Sequence, residues 1–508
     1  MTDSALNTGT PAPVGEAVVN PPGDFLRIRD ELERKILPLA TSVDGRQFTF
    51  QASLQDLRLQ VGGYVLLERD GDRRIGQVLT LRPDSASAAD LGLDPTASAR
   101  IRLARGEGVI LSGDLRPFHD ANARPAEPDE VAGWLEGIRP NRSALSIGDL
   151  LLAPGVPATL DAGGFNRHTF MCGQSGSGKT YSLGLVLERL LLGTSLRMII
   201  LDPNSDYVRL SEVRDKDDPA ANEYAAAASS VAVWQNDPDA AHRLQLQFID
   251  LDPAAQAAVF GLDPIRDREE YAALSGILAA SEKGRAVISG LDALQSSDNL
   301  DVRRLGMRAS NLGVLQWSVW SRGVGTSLVD ELQNPTTRCL VVDLGSLSTH
   351  TEQRLIAETV LSTMWRERAR RQPCLIVIDE AHNVCPGQAP DALTALATNY
   401  ASLIAAEGRK FGLYLLTSTQ RPQKVHDEVL SQCDNLLLMR MNSESDLNHL
   451  RETFSFVPAG LIQRATTFRQ GESLVAGKLT PHPTYVRFGQ RLSREGGADI
   501  PTSWAVTS

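Results

Sequence analysis

The sequence is poor in cysteine and arranges none of it for chemistry. Of 508 residues five are cysteine (Cys172, Cys339, Cys374, Cys385 and Cys433), and no two form a C-x-x-C pair. That argues against a disulfide framework or a zinc site and makes a reducing cytosol the simplest compartment. Three of the five lie in or beside apolar runs, where a reduced cysteine acts as a small core residue. Long apolar runs are missing as well. None approaches the ~20 residues that cross a bilayer, and the N-terminus lacks the basic and apolar segments of a secretion signal. The expectation is a cytoplasmic protein with no membrane partner. Nor is there a surplus of positive charge: 51 Lys and Arg stand against 62 Asp and Glu, a formal net charge of −11. A uniformly basic coat for nucleic acid is excluded, so any such affinity must come from a local basic lining. No internal repeat or low-complexity tract is visible, and the length allows roughly two to four domains.

What is present begins with Gly173-Gln174-Ser175-Gly176-Ser177-Gly178-Lys179-Thr180, a complete G-x-x-x-x-G-K-[ST] phosphate loop. Its glycines let successive backbone N–H groups turn inward around phosphates. Lys179 supplies a point charge to the β- and γ-phosphates, and the Thr180 hydroxyl is a Mg²⁺ ligand. Phe170-Met171-Cys172 reads as the end of a strand, and Leu183, Val186, Leu187 and Leu190 as the core face of a helix over about residues 181–192. That helix aims its N-terminus at the triphosphate. A glycine-rich turn with a chance lysine would not sit in this strand–helix setting. The expected cofactors are ATP and Mg²⁺.

Far downstream, Cys374-Leu375-Ile376-Val377-Ile378 runs into Asp379-Glu380. A run apolar on both faces implies a central parallel strand. Asp379 at its tip is a metal-shell ligand, and Glu380 orients or deprotonates the attacking water. Further strand-like runs end at Asp202, Asp343 and Gln420, and another spans residues 435–439. Ligands collect at the carboxyl ends of such strands. Gln420 is thereby a candidate sensor of the γ-phosphate or the water, and from position alone equally a polar residue opening a loop. His382 is the one histidine inside a motif, with packing as fair a reading as chemistry.

These residues together resemble the HerA family of hexameric DNA translocases, within the HerA–FtsK group of RecA-like motors. The similarity runs from about Gly45 to Gly489. It is carried by Asn166-Arg167-His168-Thr169-Phe170 before the phosphate loop, Asp202-Pro203-Asn204-Ser205-Asp206-Tyr207, Asp379-Glu380-Ala381-His382-Asn383, Glu407-Gly408-Arg409-Lys410-Phe411-Gly412, and Thr419-Gln420-Arg421-Pro422. Relatives usually carry Glu where this chain has Asp206, one methylene shorter, which puts the reach of that catalytic carboxylate in doubt. The resemblance implies that Arg409 is an arginine finger acting on ATP held by a neighbouring subunit, with Arg167 a second candidate for an intersubunit or nucleotide contact.

The implied fold is α/β: a RecA-like P-loop NTPase core with an N-terminal small β-barrel and an inserted helical bundle. Residues 1–22 read as disordered. Residues 23–150 read as the barrel and a linker, opening with a short amphipathic helix capped by Asp24 that carries Phe25, Ile28, Leu32 and Ile36. Short strands are expected at residues 48–50, 64–67, 75–79, 101–103 and 109–111, with turns at Asp44-Gly45, Gly62-Gly63 and Asp70-Gly71. The stretch from about Pro117 to Pro128 reads as a linker or an excursion. The core spans 151–489, with the helical insertion at about 208–335 and helical periodicity at 271–278, 282–294 and 302–312. Within it Trp317 and Trp320 are expected to pack one helix face. Lys283, Arg285, Arg303, Arg304 and Arg308 form a basic cluster that by default is a solvated face. Residues 490–508 read as a tail whose Arg491 and Arg494 reach a neighbour.

The implied function is a homohexameric ATP-driven motor on double-stranded DNA. It would work with a partner, either a NurA-like nuclease or a defence effector that cleaves nucleic acid or hydrolyses NAD. The alternative is an ATP-gated ring scaffold that regulates such an effector without sustained translocation. A conjugation or secretion ATPase is disfavoured by the barrel and the missing membrane segment.

Overall fold

A computed structural model of the protein describes residues 36–54, 57–87, 100–113, 115–138, 143–280, 294–321 and 327–497. The expected helix after Asp24, most of the one at 282–294, and the cluster members Lys283 and Arg285 lie outside the described residues. The chain divides into two compact units, the first ending at Pro125 and the second taking Val61–Tyr64 and everything from Ala126.

The first unit is a closed barrel of six strands: β1 (Leu39–Ser42), β2 (Gln47–Ser53), β3 (Tyr64–Arg69), β4 (Asp72–Ser87), β5 (Arg100–Ile110) and β6 (Phe118–Pro125), in the order β1-β2-β5-β4-β3-β6. Closure removes the exposed edges that a sheet this small would present. Phe48, Phe50 and Ala52 alternate inward along β2 and meet Val65, Leu67 and Val78 in the core. Asp70 and Gly71 both take positive φ, 52° and 85°, the tight turn a two-residue hairpin needs.

Two expectations are corrected here. The runs at 101–103 and 109–111 belong to one strand, because the glycines between them are packing sites. A Cβ on Gly106 would lie 2.2 Å from the Phe50 ring and one on Gly108 2.3 Å from that of Phe48. The supposed linker from Pro117 contains β6, whose inward residues Ala121 and Ala123 are too small to mark a strand in the sequence. The barrel unit ends at Pro125.

The second unit is built on a twelve-stranded sheet. Its strands are β7 (Ala144–Leu150), β8 (Pro157–Asp161), β9 (His168–Cys172), β10 (Arg197–Asp202), β11 (Val231–Gln235), β12 (His242–Arg243), β13 (Cys339–Asp343), β14 (Cys374–Ile378), β15 (Leu413–Thr419), β16 (Cys433–Met439), β17 (Glu472–Gly477) and β18 (Thr484–Phe488). The order is β12-β11-β13-β10-β14-β15-β9-β16-β17-β18-β7-β8. From β12 to β16 every pairing is parallel; beyond β16 all are antiparallel. All residues of β9, β13 and β14 are buried, as strands covered on both faces must be. This is the expected α/β RecA-like core.

The insertion is not purely helical. Helices Ala221–Ala228, Pro253–Val259, Arg268–Ala280, Leu300–Asn311 and Leu328–Gln333 occupy it, but it also contributes β11 and β12 to the sheet edge. Trp317 and Trp320 stack on each other in the turn after a 3-10 segment, centroids 6.0 Å apart, with the Trp320 indole N–H donating to the Val314 carbonyl. Arg304 pairs with Asp301, and Arg308 with Asp267 and Glu270, so this helix face is neutralised within the chain.

Residues 490–497 are not a free tail. Arg491 is buried and its Nε donates to Glu188, 3.2 Å away on the helix Lys179–Gly193. Glu188 also accepts from the backbone N–H groups of Leu492 and Ser493, each at 2.8 Å. Gly184 makes the approach possible, since a Cβ there would stand 2.3 Å from the Arg491 guanidinium carbon. Arg491 therefore does not reach for a neighbour. Removing one partner of such a buried pair strands the other charge, so Arg491→Ala is expected to destabilise the chain by about 3 kcal/mol. A lowered urea midpoint, partly restored in Arg491→Lys, checks this.

Candidate functional site

The parallel half of the sheet brings six strand ends to one edge. The phosphate loop leaves β9 there, and Asp202, Asp343, Asp379-Glu380, Thr419-Gln420 and Met439-Arg440 end β10, β13, β14, β15 and β16 beside it. Gly176 and Gly178 take φ of 72° and 90°, left-handed conformations that favour glycine. Gly173 admits no side chain, because a Cβ would sit 2.7 Å from both the Met439 Cβ and the Ser177 Oγ. The Ser177 hydroxyl is buried without a partner. A cradle of backbone donors with no side chain inside it fits a chain of phosphates. Gln174 and Ser175 complete the loop, and Thr180 stands in the first turn of the helix behind it.

Lys179 spans the gap between the loop and β14. Its Nζ donates to Asp379 Oδ1 at 2.7 Å and to Ser418 Oγ at 2.9 Å, and lies 3.3 Å from Glu380 Oε1. Burial alone would lower the Lys179 pKa; the two carboxylates outweigh it and raise it. Glu380 is held from three sides. Gln420 Nε2 donates to Oε1 at 3.1 Å, Lys179 faces the same oxygen, and His382 Nδ1 lies 3.2 Å from Oε2. Burial would raise this carboxyl, but the His382 hydrogen bond, the Lys179 charge and Gln420 together hold it down at about 2. The backbone of Glu380 is left-handed, φ 45°, a conformation that costs a non-glycine residue energy. Sequence reasoning named Lys179, Asp379, Glu380 and Gln420, and the fold brings all four together.

Asp206 sits one step back. Asp202 accepts from the N–H groups of Asp206 and Tyr207 at 2.9 and 2.8 Å and so fixes the turn. The Asp206 carboxyl bonds to Asn204 and is pushed up to about 6, by burial first and then by Asp379. Tyr207 takes the nearer place, its hydroxyl donating to Asp379 Oδ2 at 3.3 Å.

Arg409 and Arg167 stand elsewhere. Both ion-pair with Asp434 Oδ2, at 2.7 and 3.3 Å. Arg167 precedes β9, Arg409 precedes β15 and Asp434 opens β16, so all three lie at the amino edge of the parallel strands. A five-residue strand separates that edge from the phosphate loop, a span of about 17 Å at 3.3 Å per residue. Neither arginine joins the Lys179–Glu380 cluster of its own chain.

Several residues escaped the sequence. Ser418 and Tyr207 reach the cluster only through the fold. Arg440 also escaped; its Nη2 donates to the Gly176 carbonyl at 3.1 Å. A signal existed for Arg440 alone, as a charge closing an apolar strand. The five cysteines are all unpaired and buried, and burial pushes the thiols of Cys339, Cys374 and Cys385 up to about 12. Among the described residues no helix is long and apolar enough to cross a membrane.

Comparison with known proteins agrees with this geometry. The family described as the central domain of helicase HerA matches residues 145–309. The chain is 22% identical over 477 residues to the probable helicase MJ1565 of Methanocaldococcus jannaschii, covering 87% of this chain and 88% of that one. It is 20% identical over 485 residues to the DNA double-strand break repair helicase HerA of Sulfolobus acidocaldarius, covering 88% and 92%. Among solved structures, VirB4 of Thermoanaerobacter pseudethanolicus aligns at 16% identity with a TM-score of 0.48, over 69% of this chain and 98% of that one. The chain is thus similar to the HerA helicases over most of its length.

Proposed function

We propose that this chain is an ATP-driven motor that moves along double-stranded DNA as a homohexamer, coupled to a partner nuclease or other effector. The observation that carries the reading is the separation of its arginines from its lysine. Lys179 and Glu380 occupy the carboxyl edge of the sheet, while Arg409 and Arg167 wait at the amino edge. A guanidinium out of reach of its own chain's nucleotide is, in this reading, the one that serves a neighbour's. The Arg409–Asp434 pair keeps it poised at a partly exposed surface. The helicase names of the relatives point to DNA as the track.

In this reading residues 173–180 wrap the triphosphate, and Arg167 makes a further contact across the subunit boundary. Mg²⁺ held by Thr180 and Asp379 would neutralise charge on the phosphates. Lys179 exchanges its carboxylate partners for the β- and γ-phosphates. Glu380, released from Lys179, receives the proton of the attacking water, which Gln420 helps to place. Asp206 supports the acidic cluster from behind. The finger Arg409 acts on charge in the transition state.

Lys179→Ala should abolish ATP turnover, whereas Glu380→Gln should bind ATP and fail to hydrolyse it. Filter binding alongside steady-state hydrolysis checks both, and near-wild-type turnover in Glu380→Gln would remove that residue from water activation. Arg409→Ala should keep ATP affinity and assembly while losing on the order of 10³-fold or more in hydrolysis. Mixing Arg409→Ala with Glu380→Gln subunits should restore part of the activity, because some interfaces unite an intact finger with an intact carboxylate. A mixture of verified heteromers that stays dead places Arg409 outside the interface. Turnover stimulated by duplex DNA, together with displacement of a bound roadblock, identifies the motor; turnover indifferent to DNA does not.

A further inference from the structure

A cavity of about 750 Å³ opens next to Glu380, between the loops that follow β10, β13, β14 and β15. Its lining is chemically one-sided. Arg354, Arg421, Lys424, His350 and His382 contribute cationic or potentially cationic groups, and four amide side chains, Gln388 and Gln423 among them, contribute donors. No carboxylate lines it, in a chain whose acidic residues outnumber its basic ones. Arg354 is anchored by Asp391 just outside, while Arg421 and Lys424 are exposed and enter no ion pair among the described residues. The walls are tied together: Gly387 N–H donates to the Lys424 carbonyl and His426 N–H to that of Cys385, both at 2.9 Å. No Phe, Tyr or Trp lines the cavity, so it lacks the large aromatic platforms on which single-strand binders stack bases.

We propose that this cavity is a groove for the phosphodiester backbone of DNA, and that His382 passes its occupancy to Glu380. The inference rests on the DNA-motor reading above and adds to it where the strand is held. Cations interleaved with amide donors are the groups that bind phosphate oxygens irrespective of sequence. The link to the site is direct. His382 lines the groove, and its Nδ1 lies 3.2 Å from Glu380 Oε2 and 3.0 Å from Thr419 Oγ1. The same Thr419 oxygen accepts from the backbone N–H of Arg421 at 3.0 Å. A backbone phosphate drawing Arg421 and His382 into the groove loosens one of the three holds on Glu380 and frees that carboxylate for water. His382 is a positioning residue in this scheme.

The test uses the full chain and a labelled blunt DNA duplex, with affinity followed by anisotropy across a salt series. The double variant Arg421→Ala/Lys424→Ala should bind at least about tenfold more weakly, and its log–log salt slope should fall by about 2, the share of two phosphate contacts. Arg303→Ala/Arg304→Ala removes the same charge from another surface and should bind as the wild type does; equal losses in the two double variants overturn the groove. Lys424→Arg should retain binding, which separates charge from misfolding. At saturating duplex, His382→Ala should lose most of the DNA stimulation of ATP turnover, and full stimulation overturns the coupling. If the wild type binds no duplex, the motor reading falls and the groove with it. If the wild type binds and the double variant binds equally well, the groove alone falls.

Discussion

A buried ammonium between two carboxylates organises this molecule. Lys179 is nine-tenths removed from water, and such a charge is tolerable only where opposite charge and good hydrogen bonds surround it. Asp379, Glu380 and Ser418 supply them from two neighbouring strands, β14 and β15. The loop that carries Lys179 leaves β9, on the far side of β15. One ion-pair cluster thus clamps three adjacent strand ends in register. It also leaves the cradle of N–H groups facing nothing of equal charge, so the site is electrostatically prepared for an anion that replaces the carboxylates as partner of the lysine.

Parallel strands impose the second constraint. In a parallel sheet all amino ends share one edge and all carboxyl ends the other, so a residue before a strand and a residue after it can never meet within that sheet. Arg167 and Gly173 flank the same β9 and are consigned to opposite edges. No side-chain rotation bridges a strand length, since an extended arginine reaches less than half of it. The separation is therefore a property of topology, and it leaves two arginines beside Asp434 as partly exposed groups. Their field is felt locally as well. The buried His168, already disfavoured as a cation by burial, is pushed further down by Arg409 and Arg167, to about 4, and accepts at Nδ1 from the Leu415 N–H.

What the sequence made legible follows from how locally each feature is encoded. The phosphate loop and the Asp379-Glu380 pair are contiguous, and β15 was expected at 413–419, where it lies, because an unbroken apolar run admits few alternatives. Features built from distant pieces were hidden. Tyr207, in the turn after β10, and Ser418, on β15, reach the cluster from places far apart in the chain, and Asp434 acquires meaning only from the two arginines it binds. Strand β6 was invisible because its buried positions are alanines, and β5 was split in two by glycines that serve aromatic packing. The segment at 490–497 misled for the opposite reason. Leu492 is its one apolar side chain, yet its arginine is buried against Glu188, and nothing in a local window distinguishes a buried charge from a solvated one.

Charge distribution joins these points. An excess of acid over base across the chain repels polyanions at long range, so contact with one needs a patch from which carboxylates are absent. The lining beside Glu380 has that character. Glu380 is caught in a left-handed backbone and held at both oxygens, which makes its arrangement a metastable one: three hydrogen-bonding partners offset the strain, and loss of any one shifts the balance. Two of those partners, Lys179 and His382, border different spaces, one the phosphate loop and the other the open groove. In the proposed scheme this carboxylate becomes fully available only when both have been drawn off, so one residue would register two ligands without any contact between them.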